Sequence, residues 1–419
     1  LEGLYGSEEQ KTGVAVQLAR HFQEAGITDK AIHYLHQAGK RAMQMSAYME
    51  ANAHLGKALE WLASLPDSPE RAQQELSLQL DMGMAWLSMA TPSAEMETAY
   101  SRARDLCIQM GKTSQLISAL GGLAIFNYVR GRHRRGLAFA GEALDLARQV
   151  DDPHLLILAH WSKGVVLFGL GEYLAAREHL GQSIARYSPR EHHEPLIRIR
   201  GVDGGASAFA YDACCLWCLG YFDQAMSRRE EALALARELD HAFTLVDVLC
   251  YAGCIIDSMR GDAPSLKKHA DEIIQMASEK GFPGWLKMST CLRGEALTWL
   301  GREEEGIKLM RSSLAGRIAM GERVTLPEKL CALAETYLRM GRNEEAQNTL
   351  AEAFVSVEES DERHYQAELY RVEGDSLLYQ GDENGARASY EKGMEFARSR
   401  EARSWELRST VSLARLLHI

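Results

Sequence analysis

Along most of the chain, apolar residues recur at i, i+3, i+4 and i+7, the spacing that lines one face of an α-helix. Leu330, Leu333, Ala334, Tyr337 and Leu338 are one such set. Each set runs into a glycine, and the glycines keep a register: Gly131, Gly171, Gly220, Gly261, Gly301, Gly341 and Gly381. The steps 131 to 171, 261 to 301, 301 to 341 and 341 to 381 are each forty residues. The step 220 to 261 is forty-one and 171 to 220 is forty-nine, which places an insertion of about nine residues before Gly220. A glycine there suits a helix C-terminus, where the chain turns through positive φ. A second amphipathic stretch follows each one, as in Glu344 to Glu358.

Small residues hold fixed places in this register. Seven positions before the glycine stand Ala124, Gly164, Ala213, Cys254, Gly294, Ala334 and Gly374; five after it stand Gly136, Ala176, Ala225, Gly306, Ala346 and Ala386. Side chains this small let two helix backbones approach, so these positions predict the crossing points of a stacked array. Pro153, Pro283 and Pro327 fall where a first helical turn tolerates proline. Upstream the pattern is looser: Leu18, Ala19, Phe22, Gly26, Ala31, Leu35 and Ala38 form one unit, and two longer helices near 46–64 and 70–90 follow, punctuated by Pro66, Pro69 and Pro92. The expected fold is all-α, a right-handed superhelical solenoid of stacked helix pairs with a repeat of about forty residues. Residues 13–419 would form one domain of roughly ten pairs, with the insertion near 188–206.

Composition narrows the function. The 419 residues carry a formal charge of −11, and the basic clusters (Arg132, Arg134 and Arg135; Lys267 and Lys268) are short, so a nucleic-acid partner is not expected. No uninterrupted apolar run nears the roughly 20 residues of a membrane span. Eight cysteines, several of them three or four apart on predicted helices, suit a reducing cytoplasm better than a disulfide framework.

The small-residue pattern resembles the tetratricopeptide repeat in its long variety: Leu333-Ala334, Tyr337, Gly341, Ala346, Leu350 and Ala353 sit where that consensus has its signature residues. The whole chain also resembles the C-terminal sensor region of large bacterial signalling proteins. In those, a class III adenylate or guanylate cyclase, or another effector domain, precedes a STAND-type ATPase, and repeats follow. The stretches that carry this are Ala47-Tyr48-Met49-Glu50-Ala51 with His54-Leu55, Leu65 to Ala72, Gly220 to Ala225, Ala367 to Arg371, and Ala402 to Arg408 with Ser412 to Leu416. The resemblance implies that residues 1–12 are the tail of a preceding domain or a linker. It also implies ATPase or cyclase domains attached outside this chain, whose catalytic residues map onto no position here.

Chemistry within the chain is sparse. There is no phosphate-binding loop, no nucleophile elbow and no zinc-protease motif, so no enzyme, cofactor or metal is expected. Cys214 and Cys218, with Cys250 and Cys254 one unit on, could supply four thiolates to zinc, but cysteine as a small apolar filler explains them better. His192 and His193 are expected in an exposed loop, Gly201 to Gly205 in a flexible connection, and Glu303 to Glu305 at a helix start. The repeat resemblance implies that residues ten, six and two or three before each glycine face an inner groove. Those positions offer Trp161, Phe168, Tyr211, Cys214, Trp217, Tyr251, Ile255, Met259 and Trp299, followed by a polar set that includes Glu295, Glu335, Arg339 and Arg371. An aromatic middle beside a charged end is what a protein or peptide segment, or a small effector, needs for affinity and orientation. The expected function is therefore a binding or regulatory sensor module. The rivals are a structural interaction scaffold and the sensor part of a STAND-type transcription regulator.

Overall fold

The computed structural model describes residues 13–418, and the expected N-terminal tail, residues 1–12, lies outside them. The described residues form 21 helices and no strand, counting the unbroken helix Ala242–Arg260 once. Helix α1 (Ala15–Glu24) leads into the pairs α2 (Thr28–Gln44) and α3 (Tyr48–Leu62), α4 (Pro69–Ser88) and α5 (Ala94–Met110), α6 (Thr113–Val129) and α7 (His133–Val150), and α8 (Pro153–Gly169) and α9 (Tyr173–Arg186). The insertion is a single helix, α10 (Pro189–Arg200). The pairs resume with α11 (Gly204–Cys218) and α12 (Phe222–Glu238), α13 (Ala242–Arg260) and α14 (Ala263–Lys280), and α15 (Pro283–Trp299) and α16 (Glu303–Ala319). They end with α17 (Leu326–Arg339) and α18 (Asn343–Ser360), α19 (Gln366–Tyr379) and α20 (Glu383–Ser399), and a closing α21 (Arg403–Leu417).

The periodic glycines end the first helix of each pair, with φ between 70° and 86° at all seven. Polar caps start others: Asp152 accepts from the amides of His154 and Leu155 ahead of Pro153, and Ser68 accepts from Arg71 ahead of Pro69. The small positions are crossing points. A Cβ on Gly294 would stand 2.8 Å from the carbonyl of Gly306, and one on Gly306 would stand 2.5 Å from that of Gly294.

First helices of successive pairs lie side by side on the inside, from α4 through α6, α8, α11, α13, α15, α17 and α19 to α21. After five pairs the inner layer has gone once around, and the next turn docks on the first. The join is made at helix ends. The carbonyl of Val129, left unpaired where α6 stops, accepts from the amides of Arg323 (2.8 Å) and Val324 (3.2 Å) just before α17. One unit on, Gly169 accepts from Arg363 (2.9 Å) and His364 (3.3 Å) before α19; one unit back, Met89 accepts from Gly284 (3.3 Å) in α15. Ser404 Oγ donates to the carbonyl of Cys218 (3.1 Å). The glycine register shows the same asymmetry. A Cβ on Gly131 or Gly220 would meet Arg323 at 2.8 Å or Arg403 at 3.0 Å, whereas Gly261, Gly301 and Gly381 have nothing within 4 Å.

Buried polar groups fasten this seam. Tyr173 Oη donates to the carbonyl of His364 (2.6 Å), and the His133 ring nitrogen Nδ1 pairs with the carbonyl of Ser360 (2.9 Å). Behind it runs a chain of buried charges: Glu295 to Lys329 (2.9 Å), Lys329 to Glu328 (2.6 Å), Glu328 to His364 (3.0 Å) and His364 to Glu362 (3.4 Å). Burial opposes charge on Glu328, but Lys329 and His364 outweigh it and hold the carboxyl down at about 2. Glu362, also facing Arg317 and the Thr325 amide (2.7 Å), is pushed up to about 7, chiefly by burial. Burial also pushes His133 down to about 4.

Two predictions follow from these packing and charge patterns. Gly306→Val should cost about 1 to 3 kcal/mol in denaturant unfolding, because backbone occupies the space the side chain needs. Gly141→Ala, in mid-helix with nothing within 4 Å of the added carbon, should be neutral or stabilising; the reverse order would show that the helices do not cross at Gly306. The second prediction concerns pH. A raised carboxyl pKa means that the folded chain keeps a proton the unfolded chain has lost, so Glu362 withdraws stability as pH rises from about 4.5 to 7. Relative to wild type, Glu362→Gln should gain about 2 to 3 kcal/mol between pH 5 and pH 8. A pH-independent difference would place that carboxyl in water.

Candidate functional site

The inner face is not an open groove, because the second turn of the superhelix fills it. Phe168 lies tilted against His364 (centroids 5.3 Å apart), and Cys214, Ile255 and Met259 are buried in the main core. Trp217 and Trp299 are half-buried at its margin, with Trp217 edge-on to Phe222. The polar continuation satisfies itself. Glu295 belongs to the buried charge chain; Arg371 is shared among Glu335 (2.8 Å), Glu368 (2.9 Å) and Asp375 (2.6 Å); Arg339 is exposed and donates to Thr298 (3.0 Å).

Trp161, Tyr211 and Tyr251 are brought together around a cavity of about 70 Å³ on the superhelix axis. Six inner helices contribute to it: Leu87 from α4; Ile125, Tyr128 and Val129 from α6; Trp161 and Val165 from α8; Tyr211 from α11; Phe243, Asp247 and Tyr251 from α13; and Trp285 from α15. Tyr211 and Tyr251 lie 4.1 Å apart between ring centroids, and burial pushes both phenols and that of Tyr128 well up, so all three stay neutral. Asp247 is the one formally charged side chain in the lining. Its carboxylate accepts from Ser207 Oγ (2.5 Å), and burial pushes its pKa up to about 7. The indole N–H groups of Trp161 and Trp285 are buried without a hydrogen-bond partner.

The backbone of α13 is altered beside this cavity. Residues Leu249–Ile255 form a π-helical segment, a widened turn that frees carbonyls and is frequent at functional sites. Cys214 Sγ donates to the Tyr251 carbonyl (3.4 Å) and Arg229 Nε to that of Ala252 (2.9 Å), with Arg229 held in turn by Asp257 (3.0 Å). Here Cys214 is a buried hydrogen-bond donor. Cys218, Cys250 and Cys254 are fully buried too, with burial pushing each thiol pKa up. No group of three or more His, Cys, Asp or Glu among the described residues is placed to hold a metal. The whole helix Ala242–Arg260 is long and apolar enough to cross a membrane, yet 89% of its apolar window is buried inside the fold.

The insertion differs from the expected exposed loop. His192 is buried on α10, where its ring accepts from the Ser188 amide (2.8 Å), and His193 pairs with Asp203 (2.8 Å). Gly201 to Gly205 are likewise buried rather than a solvated link. Gly201 caps α10 at φ 73°, Asp203 caps α11, and Gly205 leaves room for the Tyr187 ring, which an added Cβ would meet at 2.1 Å. A larger cleft of about 430 Å³ opens on the outer surface, and in it Asp212 bridges Arg177 (3.4 Å) and Arg228 (3.1 Å).

Sequence reasoning missed Asp247, Phe243, Tyr128 and Trp285. Trp285 opens its helix directly after Pro283-Gly284, off the repeat's inward positions, and reaches the cavity only because the second turn docks.

Residues 325–399, spanning α17 to α20, match the family model of the tetratricopeptide repeat. An uncharacterized protein of Rhizobium meliloti (strain 1021) is 22% identical over 386 residues, covering 88% of this chain and 36% of its own length. The chain thus spans about a third of that relative. Among solved structures, the APC/C hetero-tetramer Cut9–Hcn1 is similar at 14% identity and a TM-score of 0.52, covering 98% of this chain and 84% of that one. NprR in complex with its cognate peptide NprX is similar at 13% identity and a TM-score of 0.51, covering 84% and 99%. These likenesses establish the fold as a tetratricopeptide-type helical solenoid.

Proposed function

We propose that this chain is a non-catalytic, cytoplasmic sensor module of a larger signalling protein, such as a STAND ATPase joined to a nucleotidyl cyclase. It takes up an effector in the axial cavity and passes its state on through the seam. The observation that carries this reading is the cavity itself: lined by aromatic residues from six inner helices, with a carboxyl that has no counter-ion among the lining residues and two indole N–H groups without a hydrogen-bond partner. Buried N–H donors are rarely left without a partner, and an apolar pocket with a few convergent polar groups is the usual form of a ligand site. The cavity is also wired to the seam. Val129 lines it, and its own carbonyl holds the Arg323 and Val324 amides; Trp285 follows Gly284, whose amide holds Met89. An effector there bears directly on whether the two turns stay docked. The length of the Rhizobium relative and the peptide held by NprR support a binding role within a larger protein.

Val165→Phe tests this, because Val165 lines the cavity and a larger side chain there takes up its space. Native mass spectrometry of the wild-type chain purified from its own cells should show a bound mass that the plugged variant lacks at equal thermal stability. A mass retained by the plugged variant would move the binding site elsewhere.

A further inference from the structure

Four properties of the axial cavity specify the chemistry of what fills it. First, aromatic residues dominate its lining: Tyr128, Trp161, Tyr211, Phe243, Tyr251 and Trp285. The negative face of such rings attracts a cation, most strongly when water is excluded. Second, Asp247 is the one formal charge among the lining residues, and no lysine, arginine or histidine lines the cavity with it. Its carboxyl, hydrogen-bonded by the Ser207 hydroxyl, therefore has no counter-ion among them. Third, hydrogen-bond acceptors are few. A primary ammonium brings three N–H donors, whereas the lining offers one carboxylate, already engaged by Ser207, and the tyrosine oxygens. A methylated ammonium brings no such demand. Fourth, about 70 Å³ accommodates roughly five water-sized groups, the size of one nitrogen with its four carbon substituents.

We propose that the axial cavity is a cage for the methylated ammonium head of a small molecule, with Asp247 as its counter-ion. This rests on the sensor reading above and names the ligand class of the same site. The two unpartnered indole N–H groups favour a ligand that also carries an acceptor oxygen, as an N-methylated amino alcohol or amino acid does. The π-helical segment is part of the cage: it sets Tyr251 against Tyr211 one turn beyond Asp247.

The test is calorimetric titration of the full chain with choline, and with 3,3-dimethylbutan-1-ol, which has the same shape and no charge. Choline should bind at least tenfold more tightly than the neutral alcohol and should raise the melting temperature. Asp247→Asn should erase that preference while far-ultraviolet circular dichroism stays unchanged, and Val165→Phe should abolish binding of both. Equal binding of the two compounds, lost in Val165→Phe, would overturn the ammonium assignment and leave the effector cavity standing. The same split would follow if neither compound bound while Val165→Phe still shed the copurifying mass. Choline binding that neither variant alters would overturn the cavity as its site. Should Asp247→Asn fail to fold, Tyr251→Leu replaces it, with selective loss of choline over the neutral alcohol as the expected result.

Discussion

The structure depends on its seam. A helix that stops leaves carbonyls without partners, and burying one unpaired costs about 1 to 3 kcal/mol. At the ends of α4, α6 and α8 such carbonyls meet the docked turn, and the amides that satisfy them come from the loops and helix starts five pairs later. The offset is 194 residues from Val129 to Arg323 and from Gly169 to Arg363. Past the insertion it falls to 186, from Cys218 to Ser404, so α10 lengthens the first turn without disturbing the docking. Closure converts what would be a groove into a core, and it explains why α8, α11 and α13 are apolar almost all round: the outer helices cover one side and the docked turn the other.

Closure also determines where polarity can survive. The inner helices of the second turn carry acidic and basic side chains that reach the interior, and they survive there by pairing: Lys329 between Glu295 and Glu328, Arg371 among three carboxylates. Among the residues that line the axial cavity no such pairing exists. Asp247 has a hydroxyl for company and the tryptophans have none. That contrast, together with the aromatic lining, separates the cavity from the charged interior of the second turn.

Much of this was legible in the sequence, because the information is local. The glycine register located seven helix ends, and the small positions located crossings such as Gly294 against Gly306. The break in period located the insertion. Of the inward positions, Trp161, Tyr211 and Tyr251 share the cavity, while Phe168, Cys214 and Ile255 serve the core. What local pattern could not convey is contact between residues 194 apart, and hence Trp285 lining the same cavity as Tyr128. One signal was available. The near-continuous apolar runs from Leu155 to Leu158 and from Ala206 to Leu219 lack the polar face of an exposed helix, which is the mark of burial on both sides. The buried α10 is a comparable case: its charged sequence reads as solvated, and only packing against α8 and α11 places His192 inside.

Everything proposed here requires the two turns to be docked in solution, and amide hydrogen exchange reads that directly. The amides of Arg323, Val324, Arg363 and His364 belong to short connections, which in an open solenoid would exchange at the rates of loops. With the seam closed they are donors to Val129 and Gly169. They should therefore exchange as slowly as the helical core of α8 and α11. Exchange of these four amides at loop rates, with those helices still protected, would contradict the closed superhelix and the cavity built upon it.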